Sequence, residues 1–112
     1  MSNRQQNNRQ YFRLVYPTDM TPSIKIGDHV YPVPEISEGG IRVQATRFPG
    51  LVVGDEVVAT LFFDDGDELD VSGVVYRQDK QDYIIAPLIG ISFKRIVKEQ
   101  RKLLNRYPTT RS

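Results

Sequence analysis

Short runs of apolar, β-branched and aromatic residues recur at regular spacing along the chain, and they restrict its fold more than any other feature. The clearest runs are residues 41–46, 57–63, 71–76 and 83–93. The first run alternates apolar with polar residues, which is typical of a strand with one buried face. Turn-forming sequences separate the later runs, and we predict hairpin turns at Asp65-Gly66 and at residues 77–82. Strands spaced in this way favour a barrel or a sandwich over a parallel sheet.

Two further extended segments precede these runs. Residues 11–16 alternate in the same way and predict a strand or an extended arm, and residues 24–30 predict another extended segment. Pro32 and Pro34 lack the backbone N–H that a central strand needs, so we expect an edge or a bulge there. Pro87 is expected to bulge or break the last run.

One helix is predicted over residues 95–107, because apolar residues recur there near helical spacing and Pro108 ends the pattern. The apolar positions are Ile96, Val97, Leu103, Leu104 and Tyr107. We expect this stripe to pack on the sheet while the lysines and arginines of the helix face water.

Length and composition exclude several classes of protein. A chain of 112 residues fits one domain. The absence of cysteine excludes a disulfide framework, a thiolate nucleophile and a cysteine-based zinc site. The amino end, MSNRQQNNRQ, lacks the apolar segment of a secretory signal, and no apolar stretch is long enough to span a membrane. We therefore expect a cytoplasmic protein with no membrane span.

The formal net charge of +1 hides an uneven distribution of charge. Residues 1–13 contain three arginines and no acid, and residues 94–112 contain seven basic residues and a single acid. The residues between them hold five basic and thirteen acidic side chains. Basic ends could attract an anion, and solvated tails are an equally good interpretation of the charge alone.

The first candidate site is the pair Arg9 and Arg13, which are four residues apart. This spacing places both on one side of either an extended or a helical segment. The planar donor fork of arginine matches phosphate oxygens and the O6 and N7 atoms of guanine. Two such groups could clamp a compact, doubly charged guanine nucleotide, although R-x-x-x-R alone is also typical of a solvated basic arm.

The second candidate site is Glu35-Ile36-Ser37-Glu38-Gly39-Gly40, which lies on a loop or at a strand end. The carboxylate of Glu35 could accept the N1 and N2 protons of guanine, and the hydroxyl of Ser37 could add a bond. The glycines would allow a ligand to approach the backbone closely. An ordinary turn explains the same residues when they are taken by themselves.

The order of the two motifs resembles the PilZ family, whose pattern is R-x-x-x-R followed by [Asp or Asn]-x-S-x-x-G. Residues 89–93 and the charged helix after them look like the last strand and C-terminal helix of that family. The resemblance implies an all-β fold with one C-terminal helix, built as a six-stranded antiparallel β-barrel. It divides the chain into a flexible arm, a PilZ domain and a tail, at residues 1–8, 9–107 and 108–112.

The resemblance also implies a function, which is that of a receptor for the bacterial second messenger cyclic di-GMP, without enzymatic activity, cofactor or metal. Arg9 and Arg13 would hold phosphates and guanine edges. Ser37 would bond to a guanine or a phosphate, and Gly40 would keep the floor of the pocket clear.

Two positions depart from the family pattern. Glu35 stands where the family has Asp or Asn, and its side chain is one methylene longer. We expect that difference to require a movement of the loop and to lower affinity. Many members have an arginine where this chain has Asn8, so the number of bound ligands stays open.

On this interpretation, ligand binding repositions the arm and signals to a downstream protein that the sequence does not identify. The alternative is a degenerate PilZ-like adaptor that acts through protein contacts only. A nucleic-acid partner is not predicted, because the body of the barrel is acidic. Residues 64–70 lack the spacing of a calcium loop, and we expect them to form a solvated hairpin tip. Monomer and dimer are both compatible with the sequence.

Overall fold

The computed structural model describes residues 13–45 and 51–106. These residues form eight strands, one short 3-10 helix at Thr18–Met20 and one α-helix. The strands are β1 (Arg13–Val15), β2 (Ser23–Ile26), β3 (His29–Pro32), β4 (Glu35–Ser37), β5 (Gly40–Gln44), β6 (Glu56–Phe62), β7 (Glu68–Asp79) and β8 (Asp82–Pro87), and the helix is α1 (Phe93–Arg106).

All eight strands belong to one antiparallel sheet with the order β1-β4-β5-β8-β7-β6-β2-β3. The predicted β-rich fold with one C-terminal helix is confirmed. The predicted closed barrel of six strands is wrong, because the sheet is open and has eight strands.

A turn and two prolines explain the difference in strand number. The turn at Gly27-Asp28 divides the predicted segment 24–30 between β2 and β3. Pro32 and Pro34 cannot donate to a ladder, so residues 29–37 divide into the short strands β3 and β4. The first of these ends the sheet on one side, and the second lies next to β1 on the other. Between them, Val33 N–H donates to the carbonyl of Pro22 at 2.9 Å, and Tyr16 N–H donates to that of Pro34 at 2.9 Å.

The sheet surrounds one apolar core to which every strand contributes alternate side chains. In β5, for example, Ile41 and Val43 are completely buried, whereas Arg42 between them faces the outer surface and is partly exposed. This alternation follows from the period of two in a strand. The outer faces of β4 and β5 are therefore available for a binding site.

The last apolar run is shorter as a strand than its sequence predicts. β8 ends at Pro87, residues 88–92 are not a strand, and α1 begins at Phe93. The predicted break at Pro87 is therefore confirmed, whereas residues 89–93, which resemble the last strand of the PilZ family, do not form a strand. The hairpin turn predicted at residues 77–82 is shorter than expected, because only Lys80 and Gln81 lie between β7 and β8.

Helix α1 packs on the sheet with a face that includes a charged residue. Ile96 and Glu99 are completely buried, and Leu103 packs against the core from the edge. Leu104, which we expected in the buried stripe, is 48% exposed. Tyr107 and Pro108 lie outside the described residues.

The buried Glu99 has partners on two elements. The hydroxyl of Tyr16, which follows β1, donates to Glu99 Oε1 at 2.7 Å, and Lys102 Nζ lies 2.7 Å from Glu99 Oε2. Burial raises the pKa of the Tyr16 hydroxyl well above its ordinary value, and the hydrogen bond to Glu99 raises it further. Tyr16 therefore remains a neutral donor to the carboxylate.

The acidic hairpin between β6 and β7 contacts α1. Lys102 Nζ lies 2.8 Å from Asp64 Oδ1 and 3.0 Å from Asp65 Oδ2. Arg95 is 2.8 Å from Asp67 Oδ2 and lies over the ring of Phe63, 3.8 Å from its centroid. The predicted exposed hairpin tip is confirmed, and its carboxylates in addition form ion pairs with the helix.

The described residues include no cluster of three or more histidine, cysteine, aspartate or glutamate side chains arranged to hold a metal ion. In that same part of the chain, no helix has the length and apolar character needed to cross a membrane.

Candidate ligand-binding site

Strand pairing brings the two sequence motifs together on the outer face of the sheet. Arg13 of β1 pairs with Ser37 of β4, and Ser37 pairs with Gly40 of β5. Residues that pair directly in an antiparallel sheet project from the same face. Arg13, Ser37 and Gly40 therefore form one row across three neighbouring strands.

A second row runs beside the first, displaced by two residues along each strand. Glu35 pairs with Arg42, Arg42 with Ile84 of β8, and Ile84 with Arg77 of β7. The two rows enclose a shallow groove of about 580 Å³ that reaches from Arg13 to Arg77.

The carboxylate of Glu35 lies at the centre of an ion-pair network. Arg13 Nε donates to Glu35 Oε2 at 2.5 Å, and Arg42 Nε lies 3.5 Å from Glu35 Oε1. Arg42 also donates to Asp82 and Asp79, at 3.1 Å in each case. Both oxygens of Glu35 therefore face arginines of the protein itself.

The electrostatics of the groove keep Arg13 and Arg42 charged. The hydrogen bond and the charge of Glu35 raise the pKa of the Arg13 guanidinium above its ordinary value. Burial lowers the pKa of Arg42, but its hydrogen bonds to Asp82 and Asp79 outweigh that effect, and the net shift is upward.

The arginines differ in access to solvent. The side chain of Arg13 is 66% exposed, whereas those of Arg42 and Glu35 are only 20% and 16% exposed. Among the described residues, only Glu35 bonds the guanidinium of Arg13, and it does so at Nε. The two terminal nitrogens of Arg13 can therefore donate to another group. Arg13 is therefore available to an incoming anion, while Arg42 is held by its acidic partners.

The floor of the groove is open because residue 40 is glycine. A Cβ atom at this position would lie 3.4 Å from Ile84 Cγ2 and 3.7 Å from Ser37 Oγ. The hydroxyl of Ser37 makes only a long contact of 3.5 Å with the carbonyl of Gly40, so it can bond elsewhere. The space above the floor can therefore accept a flat, polar ligand.

A comparison with protein families identifies the family of the chain. The model of the PilZ domain matches residues 7–108 of the chain. The chain belongs to the PilZ family. PilZ proteins are receptors for cyclic di-GMP and adaptors without enzymatic activity.

A solved structure agrees with the PilZ fold. The structure of the Bacillus subtilis inhibitor of motility, MotI/DgrA, superposes with a TM-score of 0.62 at 18% sequence identity. The alignment covers 90% of this chain and 54% of the other, so this chain spans about half the length of that protein. No curated protein sequence matches the chain.

The groove contains four of the five residues that the PilZ pattern predicts, namely Arg13, Glu35, Ser37 and Gly40. Arg9 lies outside the described residues, so its position relative to the groove stays a prediction.

Sequence reasoning missed three residues of the groove. Arg42 could have been found, since it follows Gly40 by two positions on an alternating strand and must share its face. Tyr76 and Arg77 also line the groove. The outward position of Arg77 depends on a bulge in β7 between Val75 and Arg77, which the sequence does not reveal.

Proposed function

We propose that this PilZ protein binds cyclic di-GMP in the groove and transmits binding to a partner protein through helix α1. The observation that carries the proposal is the exposed guanidinium of Arg13, held by Glu35 beside Ser37 and Gly40. In this arrangement the described arginine of the first motif lies beside the serine and glycine of the second.

The chemistry of the groove fits a nucleotide with several phosphate oxygens. Arg13 can present its terminal nitrogens to a phosphate, and charge-assisted bonds of this kind are about twice as strong as neutral ones. Ser37 can donate to a second oxygen or accept from a base. Arg9, which lies four residues before Arg13, is proposed to bind the same ligand.

A contact between the groove and the start of the helix supports a route for the signal. Glu38, in the turn between Ser37 and Gly40, accepts a hydrogen bond at 3.1 Å from Ile91 N–H, just before α1. Gly90 approaches so closely that a Cβ there would lie 2.5 Å from the Glu38 carbonyl oxygen. A ligand that moves this turn must therefore displace residues 90 and 91 or strain the contact.

A second contact joins the amino-terminal motif to the same helix. Tyr16 lies three residues after Arg13 and donates to the buried Glu99 of α1. If a ligand bound to Arg13 rearranges β1, Tyr16 would move. The hydrogen bond from Tyr16 to Glu99 would transmit that movement to the helix. Both motifs of the site are thus connected to α1 by hydrogen bonds. We propose α1 as the element that a partner protein contacts.

The second candidate function is an adaptor that binds a partner protein without a nucleotide. One observation favours it: the Glu35 carboxylate is already satisfied by Arg13 and Arg42, so it is not free to accept guanine protons. A ligand would have to displace at least one of these arginines. MotI/DgrA, whose fold is similar, is described as an inhibitor of motility.

Isothermal titration calorimetry with cyclic di-GMP separates the two functions. The receptor should bind cyclic di-GMP but neither GTP nor cyclic di-AMP with comparable affinity. Binding should weaken as salt rises, because the phosphate contacts are screened. Arg9→Ala, Arg13→Ala and Ser37→Ala should each weaken binding.

The matched control is Arg101→Ala, which removes an exposed arginine of helix α1 that does not line the groove. It should bind like the unsubstituted protein. If Arg9→Ala and Arg13→Ala both bind as well as the unsubstituted protein, the assigned site is wrong. If no heat appears at any concentration of cyclic di-GMP, the adaptor function is selected.

A further inference from the structure

Helix α1 has apolar side chains on its outer surface as well as beneath it. Phe93 is 56% exposed, Leu104 is 48% exposed, and Val97 is partly buried. A helix turns by roughly 100° per residue, so these three side chains form one narrow stripe along its axis. None of them belongs to the hydrophobic core. We call this second apolar surface of the helix the outer stripe.

Cationic side chains border the outer stripe. Lys94 and Arg101 are exposed, and they lie roughly 180° around the helix axis from the buried face. Neither has a hydrogen bond or an ion pair with a described residue. Glu99, the single acid among residues 94–112, is completely buried. The outer surface of the described part of α1 therefore carries cations without a carboxylate.

A shallow depression of about 770 Å³ lies where the outer stripe meets these cations. Its lining combines two apolar side chains, Phe93 and Val97, with three cationic ones, Lys94, Lys98 and Arg101. Lys98 is already paired with the acidic hairpin, whereas Lys94 and Arg101 are not. Exposed apolar side chains that are grouped and rimmed by polar ones mark interaction sites.

Charge and shape restrict what this surface can bind. A second copy of α1 would place Lys94 and Arg101 against the same cations, and this repulsion disfavours a homodimer here. A flat anionic membrane would touch these two cations first, because the apolar Phe93 and Leu104 lie roughly 80° to one side of them. A second helix that lies alongside α1 can contact both the apolar and the cationic side chains.

We propose that the outer stripe and its cations dock an acidic amphipathic helix of a partner protein. Apolar side chains of that helix would pack on Phe93, Val97 and Leu104, and its aspartates or glutamates would pair with Lys94 and Arg101. This inference rests on the proposed role of α1 as the element that a partner protein contacts, and it adds the chemistry of that partner.

Fluorescence anisotropy with labelled synthetic peptides tests this surface. The probe is a peptide of about 18 residues, long enough to form a helix, with leucines at i, i+4, i+7 and i+11 and glutamates beside them. One control peptide has lysine in place of every glutamate, and another has the same composition with scrambled leucines. The full chain should bind the probe at least about tenfold more tightly than it binds either control peptide.

Charge reversal on the protein should reverse this preference. Lys94→Glu combined with Arg101→Glu should abolish binding of the acidic peptide and allow binding of the lysine peptide. Phe93→Ser should weaken binding of the acidic peptide by about tenfold, because the outer stripe loses its largest side chain. Lys25→Glu, which replaces an exposed cation of β2 outside the depression, is the matched control and should change neither affinity. All of these side chains are exposed, so each variant should unfold thermally like the unsubstituted protein.

Three results would overturn the inference. The first is equal affinity for the acidic peptide and for either control peptide. The second is binding of the protein to phosphatidylglycerol vesicles without binding of the acidic peptide. The third is a dimer in sedimentation velocity that Phe93→Ser dissociates.

Calorimetry with cyclic di-GMP separates this inference from the receptor function. If the nucleotide binds and the acidic peptide does not, the docking surface is wrong and the receptor function stands. If the acidic peptide binds with the expected charge preference and the nucleotide does not, the receptor function is wrong and the docking surface stands with the adaptor function.

Discussion

Two carboxylates of this protein, Glu35 and Glu99, each lie between basic side chains, but their surroundings differ. Glu35 lies on the outer face of the sheet, and its partner Arg13 is 66% exposed. Glu99 lies beneath α1, is completely buried, and contacts Lys102 and the hydroxyl of Tyr16. One network faces the groove, and the other joins the helix to the sheet.

The difference between Glu35 and Glu99 shows that burial decides whether an ion pair can exchange its partners. Partners of a buried charge cannot be exchanged for water without a large desolvation penalty, so the Glu99 network acts as a fixed attachment. Exposed ion pairs contribute little to stability and are readily replaced by another anion. Arg13 can therefore exchange its partner Glu35 for a phosphate while the fold stays intact.

The largest expected effect is on stability, from Glu99→Ala. The substitution removes the acceptor of the Tyr16 hydroxyl and the buried partner of Lys102, which keeps only Asp64 and Asp65 at the hairpin. We expect a loss of about 3–5 kcal/mol in the free energy of unfolding. Urea denaturation measures it. The control Glu56→Ala removes an exposed carboxylate of β6 and should change stability by less than about 0.5 kcal/mol. A similarly small loss for Glu99→Ala would remove the distinction between the two networks.

A smaller loss is expected from Tyr16→Phe, which keeps the ring but removes the donor to Glu99. Leaving one buried acceptor atom unbonded should lower the free energy of unfolding by about 1–3 kcal/mol. Tyr76→Phe is the matched control, because the ring of Tyr76 is exposed. Equal denaturation midpoints for the two variants would show that the buried bond contributes nothing.

Glu35→Asp tests whether the ion pairs of Glu35 affect the affinity for the ligand. The shorter side chain matches the family pattern and should release Arg13, so we expect tighter binding of cyclic di-GMP by calorimetry. The stability change should stay below about 1 kcal/mol, because Arg13 is exposed. Glu38→Asp, in the adjacent turn, is the control. Weaker binding by Glu35→Asp would mean that the longer carboxylate itself contacts the ligand.

The smallest effect concerns pH and the partly exposed ion pairs of the hairpin. The hydrogen bond from Arg95, and then that from Lys98, lower the pKa of Asp67 to about 2. Because this folded-state pKa is below the unfolded value of about 3.9, the pairs stabilise the fold above that value. Their contribution is lost as pH falls through about 2.

Urea midpoints between pH 5 and pH 2 measure this effect. Asp67→Asn should flatten the acid dependence, whereas Asp28→Asn, at an exposed turn, should leave the slope unchanged. If Asp67→Asn has the same acid slope as the unsubstituted protein, the pairs with the helix do not contribute.

The sequence predicted which residues lie together in the groove better than it predicted the sheet. The two motifs were recognisable because a ligand-binding role needs particular residue types at fixed spacing. The number of strands was not, since it depended on how Pro32 and Pro34 divide residues 29–37 between opposite ends of the sheet. Leu104 was assigned to the wrong side of α1, because helical spacing alone does not reveal that Glu99, a carboxylate with buried partners, faces the sheet.

Local properties of the chain were determined by the sequence itself: β-strand alternation, one helix, hairpin turns, and an arginine pair followed by a serine–glycine motif. These depend on residue type and short spacing. Only the tertiary structure decided that Arg42 shares the Glu35 carboxylate, that a bulge turns Arg77 outward, and that Tyr16 holds Glu99. Each of these depends on strand register or on burial, and both arise from contacts between residues far apart in the chain.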